Sequence, residues 1–246
     1  MSKSKLALAA FAGIVVIISA WLLAQGVTNF RKESPKLNVT GMAEKQITSD
    51  LIVWNLELKA KDDTRASAYN EYKRVANILR KYLKSQGIPD SCLSTSSVDI
   101  SLNTRQVYNS MSQRYDTYED GYSVSQTFTV RSKNVSQVET VYQNIAELYK
   151  DGINFSSNAP LYYYTKLNDL KMEMLNKASA NAYERAQTIA NGSHSGIGDM
   201  ISSSMGVFQI VGLNSEEEYS WGGTFNTSSK EKVASITVRT TYEVKN

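Results

Sequence analysis

The chain holds one cysteine, Cys92, and one histidine, His194, in 246 residues. A lone thiol cannot close an internal disulfide, so the fold stands without a covalent staple even in an oxidising compartment. The same scarcity excludes a structural zinc constellation and makes any Ser/His/Asp arrangement depend on His194 alone. Charge of one sign is also scarce: 27 basic residues stand against 24 acidic ones, and Lys3 and Lys5 account for most of the difference. A near-neutral body lacks the basic face that nucleic acid demands, so no nucleic-acid partner is expected. What the chain does hold is tyrosine, 15 residues against six phenylalanines. Tyrosine suits half-buried strands and interfaces, where the ring is covered and the hydroxyl stays wet.

The run from Leu6 to Val27 carries no charge and follows Lys3 and Lys5. As a helix it has about the length that crosses a hydrocarbon core of roughly 30 Å. A secretory signal has a shorter apolar stretch and small residues before its cut, whereas Leu22 precedes Ala24 and Ile18 precedes Ala20. The reading favoured is a retained signal anchor: a transmembrane helix with a short cytoplasmic tail and the bulk of the chain on the periplasmic side of the inner membrane. The inner membrane, through Leu6 to Val27, is thus the first expected partner.

Along the rest of the chain, residues 36–47 read as a strand with a bend at Gly41. In residues 51–60 Ile52, Trp54, Leu56 and Leu58 alternate with polar or smaller side chains, the period of a strand covered on one side. Asp62 or Asp63 can cap the helix that follows, over residues 64–86, whose face is Tyr69, Tyr72, Ala76, Leu79 and Leu83. Val98, Ile100 and Leu102, then Tyr122, Val124, Phe128 and Val130, mark the strands of a long hairpin. A helix opened by Asn134 carries Val135, Val138, Tyr142, Ile145 and Leu148 on one side. A short strand at Ile153 and Phe155 precedes the helix over residues 166–191, faced by Ala178, Ala182, Ala186 and Ala190. Strands over residues 197–211 and 233–244 close the chain, and the polar stretch 213–229 between them reads as a mobile loop.

Sites for chemistry are few. His194 lies just past a helix, the usual place for a surface histidine. Gly192, Gly196 and Gly198 follow a helix and precede a strand, the wrong order for holding phosphate at a helix N-terminus. Glu216, Glu217 and Glu218 read as a solvated charge cluster, and Cys92 as a small buried hydrophobe. No catalytic residue, metal ligand or cofactor site emerges, and no enzyme activity is expected. The hairpin tip, with Tyr108, Arg114, Tyr115, Tyr118 and Tyr122 among acidic neighbours, is either a solvated end or a subunit or partner contact, since exposed tyrosine with arginine is interface chemistry.

The order of motifs resembles a known family. Residues 38–50 (NVTGMAEKQITSD), 86–98 (QGIPDSCLSTSSV), 121–130 (GYSVSQTFTV) and 177–190 (KASANAYERAQTIA) look like successive signatures of the SIMPL-domain family of bacterial envelope proteins, which includes periplasmic immunogenic proteins. Met42 and Ser49 depart from its usual glycine and proline. The resemblance implies an α+β fold, higher oligomers in some members and links to envelope stress, and it supplies no catalytic residues.

These readings add up to a cytoplasmic tail (1–5), a transmembrane anchor (6–27), a linker (28–35) and an α+β domain (36–246), with 36–131 and 132–246 as two conceivable halves. The fold class expected is α+β, a largely antiparallel sheet with helices packed on one face in the order ββαββαβαββ. The function expected is a non-enzymatic, homo-oligomeric envelope role, structural or stress-related. The alternative is a monomeric ligand- or protein-binding module of a larger envelope complex.

Overall fold

The computed structural model describes residues 3–30 and 35–245. Four helices and ten strands follow one another as α1 (Lys3–Phe30), β1 (Lys36–Thr48), β2 (Leu51–Asp62), α2 (Arg65–Ser85), β3 (Leu93–Thr95), β4 (Asp99–Asn109), β5 (Arg114–Ser132), α3 (Val135–Asn144), β6 (Asn154–Ser157), β7 (Leu161–Tyr163), α4 (Leu167–Gly192), β8 (Gly196–Met205), β9 (Gln209–Gly212) and β10 (Glu231–Lys245). The chain divides into two compact units. One comprises residues 43–176 and 207–236, the other residues 1–42, 177–206 and 237–246.

The first unit is built on β2. Ile52, Trp54, Leu56 and Leu58 are all fully buried, because a period of two turns every second side chain to one face. β5 pairs with β2 in antiparallel register from Ile52↔Ser132 to Asp62↔Tyr122, bringing Val124, Phe128 and Val130 onto that face. The sheet order is β3-β5-β2-β6, with β4 beside β5 and β7 beside β2. α2 covers it with Ala68, Tyr72, Val75, Ala76, Leu79 and Leu83, spaced at three and four residues as one helical stripe requires. Thr64, and not Asp62 or Asp63, caps this helix: its side chain accepts from the Ser67 amide in a capping box. α3 adds Val135, Val138 and Val141 to the same core, and Tyr142 meets Trp54 edge-on at 5.8 Å.

In the second unit the alanines of α4 set the packing distance. Ala178, Ala182 and Ala186 are fully buried, and Ala182 and Ala186 share a cluster with Val39 of β1 and Tyr242 of β10. Gly41 makes that approach feasible. A Cβ there would meet the Ala178 carbonyl oxygen and the Ala182 amide, and would lie 2.8 Å from the Ala182 Cα. β10 pairs antiparallel with β8 from Val238↔Met205 to Lys245↔Gly196.

The expected fold class needs correction in three respects. The strands form two separate sheets, one four-stranded and one six-stranded, where one was expected. Three short strands, β3, β7 and β9, interrupt the order ββαββαβαββ, because three or four residues are too few to write a period of two. The single strand expected over 197–211 is split into β8 and β9 at Gly206, whose amide turns to the Thr237 carbonyl. The N-terminal transmembrane helix is corrected as well. α1 is a helix, but among the described residues no helix is long and apolar enough to cross a membrane. The described architecture is thus a mixed α/β arrangement of antiparallel sheets and four helices.

Candidate interaction surface

Beyond Tyr122 strand β5 leaves β2 and pairs with β4 alone, from Leu102↔Tyr122 to Asn109↔Arg114. The result is a two-stranded arm, a form that is marginal by itself and needs local ties. Asn103 and Ser123 exchange side-chain hydrogen bonds at 2.7 and 3.0 Å. At the tip the Asn109 side-chain Oδ1 accepts from the amides of Met111 and Ser112, while its Nδ2 donates to Asp116 at 2.9 Å. Lys61 pairs with Asp120 at the root of the arm and holds that carboxyl below its ordinary range.

A bulge decides which way the tyrosines point. The register slips between Leu102 and Thr104, where Gly121 takes a φ of 74° and leaves no room for a Cβ, which would lie 2.5 Å from the Asp62 carbonyl oxygen. One extra residue on β5 reverses its alternation. Tyr108 and Tyr115 face each other at 5.3 Å on the side continuous with Leu102 and Tyr122, whereas Tyr118 and Arg114 lie on the reverse. Exposure then separates the five candidates. Tyr108, Tyr115 and Tyr118 are 54, 67 and 49% exposed and Arg114 is exposed. Tyr122 packs against the core with the Arg65 guanidinium stacked over its ring at 5.2 Å. The arm therefore offers Tyr108 and Tyr115, with Ile100 and Leu102, on one face and Tyr118 with Val107 on the other; the Met111 tip is 97% exposed.

The stretch 213–229, expected to be mobile, is held by side chains that the sequence reading passed over. Gln209, 7% exposed, donates to the Ser220 carbonyl and accepts from the amides of Ser220 and Thr224. Glu217 is exposed, as expected, and is also tied: it accepts from the Gly212 amide and from Asn226, contacts that pull its carboxyl below the ordinary range. Beneath the loop lies Lys232, 1% exposed, whose Nζ donates to the carbonyls of Tyr162 and Asn226, each at 2.8 Å. Burial pushes this amine down to about 8, against the opposing pull of Glu217. The neighbouring Tyr162 phenol is pushed up to about 12, by burial first and then by Glu139. An enclosed amine reaches no substrate, so Lys232 acts as a pin between β7 and the loop. The loop so fixed presents Trp221, 100% exposed, and Tyr219, 59% exposed. A signal for Lys232 was present in the sequence, since it falls in phase with Ala234, Ile236 and Val238 on the buried side of β10.

His194 is exposed with a φ of 56° at the end of α4. Cys92 is a free thiol packed against the core built on β2. Among the described residues no group of three His, Cys, Asp or Glu side chains could hold a metal ion.

Comparison with known proteins agrees with the motif order. The chain is 25% identical over 201 residues to the 26 kDa periplasmic immunogenic protein of Brucella abortus (strain S19), a match covering 78% of this chain and 76% of that protein. A family model, SIMPL, described as a protein of unknown function (DUF541), matches residues 37–245, almost the whole stretch after α1, and the chain belongs to that family.

Proposed function

We propose that this protein works outside the cytoplasm as a non-enzymatic contact protein of the cell envelope, assembling with copies of itself through the β4–β5 arm. The observation that carries the reading is the arm itself. Tyr108, Tyr115 and Tyr118 are large, half-polar side chains held exposed on a tied ribbon with Arg105 and Arg114 beside Asp116 and Glu119. Rigid tyrosine with arginine supplies contact area at small entropic cost, and charges of both signs allow one surface to pair with a copy of itself. The periplasmic name of the Brucella relative supports the extracytoplasmic location. A stress-related role is the finer part of the reading and rests on the family resemblance. Native mass spectrometry of the full chain tests it: a multiple of the subunit mass is expected, reduced by Tyr115→Ser with Tyr118→Ser. A monomer in the unaltered chain, or an assembly indifferent to both changes, would defeat the arm as the interface.

A second reading, a binding module within a larger envelope complex, draws on the pinned loop. A fully exposed tryptophan on an ordered segment is the kind of side chain that dominates protein contacts. Trp221→Ala would then abolish capture of that partner without changing the subunit mass.

A further inference from the structure

Strand β1 is an edge of its sheet, in the order β1-β10-β8. The Val244 amide donates to the Pro35 carbonyl and Thr241 Oγ1 to Asn38 Oδ1, so alternation turns the main chain of Asn38, Thr40 and Met42 away from β10. Two of these outward groups are occupied. Arg185 Nη1 donates to the Thr40 carbonyl at 2.9 Å, and the Met42 amide donates to Asn181 Oδ1 at 3.2 Å. The amide and carbonyl of Asn38 and the amide of Thr40 keep their outward direction, and an edge with such groups is a template for another extended chain.

A groove of about 520 Å³ runs along this edge, between residues 38–40 and the stretch of α4 from 181 to 189. That volume falls within the range of small-ligand sites. Its walls are chemically mixed: Val39 and Ile189 are apolar, Asn181 and Thr188 polar, and Glu184 and Arg185 charged. A guanidinium presents several N–H donors in a planar fork, of which the Thr40 carbonyl takes one, and the fork is matched to a carboxylate.

We propose that this groove binds an extended peptide ending in a free carboxylate. The peptide backbone adds as a strand to Asn38 and Thr40, and its carboxylate takes the remaining N–H groups of Arg185. The arrangement, an edge strand flanked by a helix, combines main-chain pairing for affinity with a charged group for orientation. Glu184, next in sequence, disfavours acidic side chains upstream of the terminus and so narrows the choice to neutral or basic segments.

The test is fluorescence anisotropy of the full chain with a fluorescein-labelled pentapeptide, Gly-Val-Thr-Val-Val, as the free acid and as the C-terminal amide. The free acid should bind about tenfold more tightly, the factor that one additional charged hydrogen bond supplies. Arg185→Gln should bring the ratio of the two affinities to about one. Because that variant also loses the bond to Thr40, Thr188→Trp serves as a second probe; it fills the groove, leaves the Arg185 contact in place and should abolish binding of both peptides. Equal affinity for acid and amide, binding indifferent to both variants, or no binding at millimolar protein would overturn the proposal and leave Arg185 and Asn181 as edge protection alone. The assay reads peptide and not mass, so its outcome is separate from the fate of the arm as an assembly interface.

Discussion

Lys232 ties a measurable pH dependence to one buried amine. Its folded value, about 8, lies below the ordinary 10.5, so between those limits the unfolded chain holds a proton that the folded chain has lost. Stability must then rise with pH across this window. The contribution is fully present above 10.5 and disappears as pH falls through 8. The gap corresponds to about 3 kcal/mol in total, of which about 2 to 3 kcal/mol should accrue by pH 10. The tyrosines act elsewhere: Tyr162 is raised to about 12, and burial also raises Tyr72 and Tyr242. Their stabilisation is present below the ordinary phenol value of 10 and is lost only as pH climbs beyond it, so the two effects separate. Urea unfolding followed by far-UV circular dichroism at pH 7, 8, 9, 10 and 11 should show midpoints rising from 8 to 10 and falling beyond it. Lys232→Met should remove the rise while leaving the fall above 10. A flat profile in the unaltered protein, or an equal rise in the variant, would refute the assignment; nuclear magnetic resonance titration of the Lys232 amine provides the same answer without a substitution.

Gly41→Ala places a methyl group against the backbone of α4 and should destabilise the protein by about 1 to 3 kcal/mol, as overpacking does, read as a lower urea midpoint. Ser49 is 3% exposed with a hydroxyl that has no partner among the described residues, so Ser49→Ala should be neutral or stabilising by up to about 1 kcal/mol. Ser49→Pro should not share that gain, because the Ser49 amide donates to the Lys230 carbonyl at 2.9 Å. Trp221→Ala should leave thermal stability within about 0.5 kcal/mol of the unaltered chain, since the ring is wholly exposed; a larger loss would mean that the loop depends on it.

The elements most legible in the sequence were those with long, uninterrupted periods. Alternation of Ile52, Trp54, Leu56 and Leu58 marked β2, and the three-and-four spacing from Tyr72 to Leu83 marked α2, because burial against one partner imposes a single period. The arm was legible as a hairpin but its faces were not. Strict alternation would keep Arg114 and Tyr118 on the side of Tyr122, and only the Gly121 bulge separates them. The two-sheet division was hidden for a related reason: β1, α4 and β10 each contribute to both compact units, and pattern within a strand says nothing of which neighbour it pairs with. The loop 213–229 looked mobile because its composition is polar, yet composition does not reveal that Gln209, Glu217, Asn226 and Lys232 spend their polar groups on its backbone and on one another. The groove beside β1 was invisible in sequence, since residues 38–40 and 181–189 meet only once the chain has folded.

The central claim, that copies of this chain meet through the arm, is tested most directly by photo-crosslinking. A benzophenone amino acid at position 115, with the same group at Lys81 as a control, would be irradiated in the full chain and the products identified by mass spectrometry. The account predicts an adduct of two copies from position 115 that is absent from position 81, with the second attachment point falling within residues 99–122. Absence of a self-adduct at 115, or equal adducts from both positions, would contradict it.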